Sequence, residues 1–198
     1  MGRPAIVFVL LSQLGCVLYD RQIALVAPAA GRDTRRTCGP GRPIVTVNFV
    51  DGRATRGPVG AVRNGYYMTM SHVLTQDDLG VWATRAVADA LGRSGDCVVV
   101  GPRQPGSPAA SGGSLDVAGA LTSAWADAYF TYWGDVRLDV TLTDPAGRAV
   151  HKTYLGHGSA GANVAASEAG YAEALQYALA DAVSQVVRDV NAFRPPPG

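Results

Sequence analysis

"GHGSAG", residues 156–161, is the stretch on which the fold turns. It fits G-x-G-x-x-G, the fingerprint of dinucleotide-binding loops, and it stands between a strand-like run, "AVHKTYL" (149–155), and a long helical pattern. A dinucleotide site needs a further parallel strand after that helix. Here the helical pattern runs out into "NAFRPPPG", and no strand remains. The acidic residue expected about 20 positions on is Asp181, which falls inside the helix instead of at a strand end. The fingerprint fails on context, and no nucleotide cofactor is expected. The same residues nearly form the nucleophile elbow G-x-S-x-G, but its first position is His157 and no histidine follows. A serine hydrolase using Ser159 is therefore only a remote alternative. The stretch reads as a glycine-rich connector between the last strand and the last helix, since glycine adopts the backbone angles such a loop requires.

Outward from this point, the strand before it has an evident partner. In "DVRLDVTLT" (135–143), Val136, Leu138, Val140 and Leu142 alternate onto one face. "DPAG" then turns the chain into "RAVHKTYLG". After the glycines, Tyr171, Leu175, Ala178, Leu179, Ala182, Val186 and Val190 form one helical stripe, within an element running from about 164 to 193. Earlier, "PIVTVNFVDGR" (43–53) alternates as a strand. "NG" (64–65) signals a turn before a strand over 66–73. Residues 75–95 read as a helix with capping-box spacing at Thr75 and Asp78, followed by the apolar strand "CVVV" (97–100). A helix leading directly into an apolar strand suggests a β-α-β crossover from the first strand. Residues 115–133 read as strand. The expected fold is a single α+β domain: a mixed, mostly antiparallel sheet with two main helices on one face.

Composition excludes several function classes. The chain of 198 residues is 47% hydrophobic and 17% charged, the balance of one globular domain with a sizeable core. A formal net charge of +1 offers no basic stripe for nucleic acid. His151 and His157 lie six apart, about 20 Å along one strand face, too far for one metal, and His72 stands alone. The carboxylates Asp77 and Asp78 start a helix, while Asp135 and Asp139 lie on a polar strand face. None forms an acid/base pair with a reason to be perturbed. No catalytic residue, metal or cofactor is assigned, and the protein reads as a non-enzyme.

The N-terminus reads as an address. Arg3 supplies a positive start, and residues 5–11 form an apolar run too short to cross a bilayer of about 30 Å. "LGC" (14–16) then resembles a bacterial lipobox, with Gln13 standing where Leu is usual. That resemblance implies a lipidated Cys16 as the mature N-terminus, on an outer membrane because Val17 rather than Asp follows. Three other readings stay open: an uncleaved anchor, a later cleavage after "APA" (27–29), or a buried helix. The boundaries that follow are a signal peptide over 1–15, a flexible tether over 16–42, the domain over 43–193 and a proline-rich tail over 194–198. Cys38 and Cys97 could pair if the strands beside them are neighbours and parallel.

The densest aromatic cluster is "WADAYFTYW": Trp125, Tyr129, Phe130, Tyr132 and Trp133. Several of these belong in a core, and the functional alternative is a partner surface. Free strand edges are a second surface open to partners. "IVTVNFVDGR", "VGAVRNGYY", "VLTQDDLGVWATRAVADAL" and "GYAEALQYALADAV", taken with the lipobox, resemble the YajG-type family of bacterial outer-membrane lipoproteins; the insertion "PGSPAASGG" departs from it. The resemblance implies an α+β periplasmic domain without known catalytic residues, bound to the membrane through its N-terminal lipid and to an envelope protein partner. The role expected is that of a scaffold or accessory factor, with a carrier of a lipid or cell-wall fragment as the alternative.

Overall fold

The computed structural model describes residues 19–26, 44–101, 114–162 and 166–194. Among these residues eight strands and two helices follow one another as β1 (Arg21–Gln22), β2 (Ile44–Asp51), β3 (Gly60–Arg63), β4 (Thr69–Leu74), α1 (Leu79–Arg93), β5 (Cys97–Val100), β6 (Ser114–Ala128), β7 (Thr131–Thr143), β8 (Ala149–Ala162) and α2 (Glu168–Phe193). β6 is the spine of the sheet. One edge pairs antiparallel with β7, from Asp116 opposite Thr143 to Ala128 opposite Tyr132. Along the other edge its first half pairs parallel with β2, and its end meets β3 at Gly60 opposite Ala126. β5 lies outside β2, β4 and then β1 outside β3, and β8 outside β7. The chain is thus one α+β domain with a mixed sheet, most of whose paired residues are antiparallel.

Both helices cover the face on which the alternating apolar residues sit. Val45 and Val47 of β2, Val117 and Leu121 of β6, and Val136, Leu138 and Val140 of β7 are buried beneath them. α1 packs on β2 and β5, α2 packs on β7 and β8, and the helices touch each other. The expected crossover is present: Ile44 of β2 lies opposite Cys97 of β5, in parallel, with α1 between them in the chain. α1 starts one turn later than a capping box from Thr75 requires. Asp78 is its cap, accepting from the Val81 amide at 3.0 Å, while Thr75 bonds only to Asp77. Where β5 has ended, Thr84 of α1 serves the β2 backbone: its Oγ1 accepts from the Phe49 amide at 2.9 Å and donates to the Gly80 carbonyl at 2.8 Å. Ser167 caps α2 and is itself clamped by Tyr132, whose hydroxyl accepts from the Ser167 amide at 2.5 Å.

Two expectations are corrected here. "GHGSAG" is not a connector; all six residues belong to β8. Gly156 and Gly158 face α2, as does Gly134 opposite Gly158 on β7. A methyl at Gly134 would stand 2.8 Å from the Ala174 carbonyl carbon. One at Gly156 would stand 2.7 Å from the Ala182 amide nitrogen and nearer still to the Ala178 carbonyl. The helix presents Ala174, Ala178 and Ala182 to this track, so small residues on both sides let backbone approach backbone. Neither Gly156, Gly158 nor Gly161 has a positive φ; proximity, not conformation, is what these glycines supply.

The stretch expected to be a tether is folded in part. Arg21 and Gln22 pair in parallel with Val73 and Leu74, and Ile23 and Leu25 are buried. The Ile23 amide donates to the Leu74 carbonyl at 2.9 Å, and the Leu25 amide to Asp77 at 2.6 Å. The outer edge of β4 offers unpaired backbone groups, and two alternating apolar side chains suffice to hold a short strand there. The signal segment, the rest of the tether, the "PGSPAASGG" insertion and the tail lie outside the described residues.

Candidate functional site

Two turns meet at one end of the sheet, at the C-terminal ends of β3 and β6. In the β3–β4 turn, the Asn64 side chain accepts from the Tyr66 and Met68 amides, both at 3.0 Å. The residue in the left-handed region is Tyr67, at φ 64°, and not Gly65. A tyrosine there carries a conformational cost that glycine would avoid. The β6–β7 turn places Tyr129 and Phe130 alongside. Tyr67 and Tyr129 meet edge to face with centroids 6.0 Å apart, and Tyr129 and Phe130 at 4.2 Å. Exposure of the group, Tyr66, Tyr67, Met68, Tyr129 and Phe130, runs from 42% for Tyr129 to 87% for Tyr66. Clustered large apolar side chains with this exposure mark a contact surface.

Beneath them lies a buried ion pair. Arg63 Nε is 2.5 Å from Asp127 Oδ2, and Asp127 is wholly buried. Asp127 Oδ1 accepts from the Ala128 amide at 2.8 Å, while Arg63 Nη1 reaches the Tyr67 carbonyl at 3.3 Å. The guanidinium also stacks over the Tyr67 ring, 4.4 Å from its centroid. The pair ties β3 to β6, fixes both turns and leaves their aromatic surface close to neutral.

Of the five aromatics marked in the sequence, Tyr129 and Phe130 are in this group. Trp125 and Trp133 are half-buried on the sheet face away from the helices. Tyr132 is corrected: alternation turns it under α2, where it is buried against Tyr171 at 5.0 Å between centroids. Tyr66, Tyr67 and Met68 were missed as surface residues. The signal was present, since three large apolar residues directly after "NG" cannot all turn inward from a tight turn.

No family model matches the chain, and no curated protein matches it. Among solved structures it is similar to an uncharacterized protein, with TM-score 0.49 and 11% identity over 86% of this chain and 97% of that one. It is likewise similar to a Xanthomonas campestris protein of the DUF330 family, with TM-score 0.49 and 12% identity over 89% and 100%. A third is PelC from Paraburkholderia phytofirmans, in a dodecamer, with TM-score 0.43 and 15% identity over 78% and 89%. At this distance no residue role transfers from them.

The remaining candidates are dispersed. Ser159 is exposed on β8, and among the described residues no hydrogen bond joins it to a histidine. His157 pairs with Asp135, His151 with Thr141, and His72 lies 3.7 Å from Asp20. No group of three potential metal ligands occurs among the described residues. No described helix is long and apolar enough to cross a membrane. Cys97 is disulfide-bonded, whereas Cys16 and Cys38 lie outside the described residues. Strand edges were expected to be open to partners, and the outer edge of β8 is partly occupied: Gln185 of α2 donates to the Leu155 carbonyl at 2.8 Å, and Asp181 accepts from the His157 amide at 3.1 Å. A groove of about 460 Å³ runs between the helices, lined by Trp82, Ala86, Leu179, Val183 and Val187 among others.

α2 is fastened to β8 by a second polar cluster. Asp189 accepts from Lys152 Nζ at 2.5 Å and from the Tyr154 hydroxyl at 2.8 Å. The Lys152 ammonium chiefly, with help from Tyr154 and against the cost of partial burial, holds the Asp189 carboxyl below the usual aspartate range. A depressed folded-state value means stability present above the unfolded value of about 3.9 and lost as pH falls through the folded one. Asp189→Asn should therefore lower the urea midpoint at pH 7, and the gap to wild type should narrow steadily as pH falls below about 4. A gap that is constant across that range would show that the carboxylate's charge contributes nothing.

Proposed function

We propose that this is a non-enzymatic envelope protein, anchored to the outer membrane by a lipid on Cys16 and facing the periplasm. It acts as a scaffold or accessory factor in envelope assembly or transport by binding protein partners, in the manner of a YajG-type lipoprotein. The observation that supports this reading is a pair of exposed contact surfaces on one buried sheet–helix core: the aromatic end of the sheet, held by Asn64 and by the Arg63–Asp127 pair, and the open sheet face. Trp125 and Trp133, on the open sheet face, are the surface proposed for a protein partner. Cys38 is the proposed partner of Cys97, because β2, which begins six residues after Cys38, runs parallel to β5 with Ile44 opposite Cys97.

Intact mass spectrometry of the mature chain tests the anchor and the disulfide together. The expected chain starts at a diacylglycerol-modified Cys16 and has no free thiol until reductant is added. Cys16→Ser should move the protein from the membrane pellet to the soluble fraction or block its processing. An unmodified N-terminus with unchanged membrane attachment would defeat the anchor. Cross-linking in the native envelope would then identify the partner. The inter-helix groove favours one second reading, a carrier of a lipid or cell-wall fragment, since Trp82 and the valines and leucine beside it give the groove an apolar lining. Such a carrier would retain that ligand through purification in non-denaturing buffer.

A further inference from the structure

We infer that the aromatic end of the sheet lies against the lipid surface itself, beside the anchor. The inference rests on the proposed lipidation of Cys16 and names what the Tyr66–Met68 and Tyr129–Phe130 turns contact. Strand direction carries it. β3 runs parallel to β6, so both reach the aromatic end with their C-termini. β4 is antiparallel to β3 and leaves that end from Thr69. β1 is parallel to β4, with Arg21 opposite Val73, and Asp20 accepts from the His72 amide at 2.8 Å. Following the chain back from Arg21 therefore leads toward Thr69 and Met68, and the chain enters the domain from the aromatic end.

The leash is short. Tyr19 already belongs to the described domain and is largely exposed. Cys16 precedes it by three residues, which span at most about 11 Å even when fully extended. An acyl chain on Cys16 thus brings a bilayer within reach of this end, whereas the far end of the sheet, at Val150, lies beyond the leash. The chemistry of the end matches an interface. Tyrosines offer an apolar ring and a polar tip, the combination favoured at the headgroup level. Phe130 and Met68 add apolar bulk without a polar tip. Residues 64–68 and 128–131 contain no charged side chain, and the charges that precede them in sequence, Arg63 and Asp127, neutralise each other. A few aromatics bind a membrane weakly alone, but beside a covalent anchor they act as a second, intramolecular attachment that sets orientation. The same orientation leaves the open sheet face, with Trp125 and Trp133, free for a protein partner.

Photo-crosslinking of the full chain tests this. Benzoylphenylalanine is placed at Tyr66, at Phe130 or, as control, at Val150. Val150 is exposed and lies opposite Leu142, ten residues along β7 from Tyr132 and so about 33 Å from the aromatic end. Each processed protein is reconstituted into vesicles of phosphatidylethanolamine and phosphatidylglycerol, irradiated and weighed intact. Phospholipid adducts should be several-fold more abundant at positions 66 and 130 than at 150. Equal labelling at all three positions, or lipid-free chains at 66 and 130, would overturn the docking. The N-terminal mass of the same samples separates the two ideas: an unacylated Cys16 removes the anchor reading, whereas an acylated Cys16 without adducts at the aromatic end removes only the docking. A Tyr66→Ser, Phe130→Ser double variant that keeps its wild-type Tm should leave the protein in the pellet yet raise lipid labelling at Val150, because the domain loses its fixed orientation. Unchanged labelling at Val150 in that variant would also count against docking.

Discussion

Gly156→Ala and Gly158→Ala should each destabilise the domain by about 3 kcal/mol, toward the upper end for an overpacked core. For a chain of this size that lowers Tm by about 6–12 °C. The reason is what the new methyl meets. At Gly158 it would lie 2.7 Å from Tyr177 Cβ and closer to the Ala178 amide; at Gly156 it would crowd the Ala178 carbonyl and the Ala182 amide. These are mostly backbone atoms of a 26-residue helix whose other side chains are packed, so no rotamer change relieves the contact. The helix must lift from β8, and the buried stripe from Leu175 to Val190 loosens with it. Gly161, the third glycine of the same motif, is the internal control. A methyl there meets nothing within 4 Å and the backbone has no positive φ, so Gly161→Ala should be neutral or slightly stabilising. Urea denaturation of the three variants checks this pattern. A Gly158→Ala protein with wild-type stability would mean that α2 does not rest on this track. The result also bears on partner assays: Gly158→Ala is a folding variant, and loss of capture in it reports on α2, not on a loop.

That motif shows where sequence reading reaches its limit. Alternation placed Val136 to Leu142 and the stripe of α2 on the faces they occupy, because both patterns follow from burial and a fixed period. A glycine in isolation has no such periodicity. Whether it serves a turn or a close approach depends on what lies opposite, and Ala174, Ala178 and Ala182 come from a different element. The capping box failed for a related reason: Thr75 and Asp78 have the spacing, but Asp77 is engaged with Thr75 and with the Leu25 amide, which holds the chain extended for one more turn. β1 was invisible, since two paired residues among Ala, Pro and Arg make no pattern until β4 offers an edge. The candidate site was half legible. Tyr129 and Phe130 stood out as an aromatic run, whereas Tyr66, Tyr67 and Met68 join them only through the meeting of two turns about 60 residues apart in the chain.

Removing either member of the ion pair under that site should be costly, and removing both should cost less than the sum. Asp127→Leu strands the Arg63 guanidinium and deprives the Ala128 amide of its acceptor. Arg63 is about one-fifth exposed and keeps its contacts to the Tyr67 carbonyl and Thr69, so a loss of about 2–3 kcal/mol is expected, just under the range for a fully buried charge. Arg63→Met leaves the carboxylate, 1% exposed, without its cation, and should cost about 3–5 kcal/mol. It also takes away the cation stacked on Tyr67, a residue already held at positive φ, so the β3–β4 turn loosens. The double variant Asp127→Leu, Arg63→Met strands no charge and replaces the pair by apolar volume between β3 and β6. Breaking one partner of a buried pair is penalised mainly by the charge left behind, so the double variant should be more stable than Arg63→Met alone. Urea midpoints of the four proteins close the cycle. Additive losses would mean that the two charges act independently, and that something other than this pair holds the two turns together.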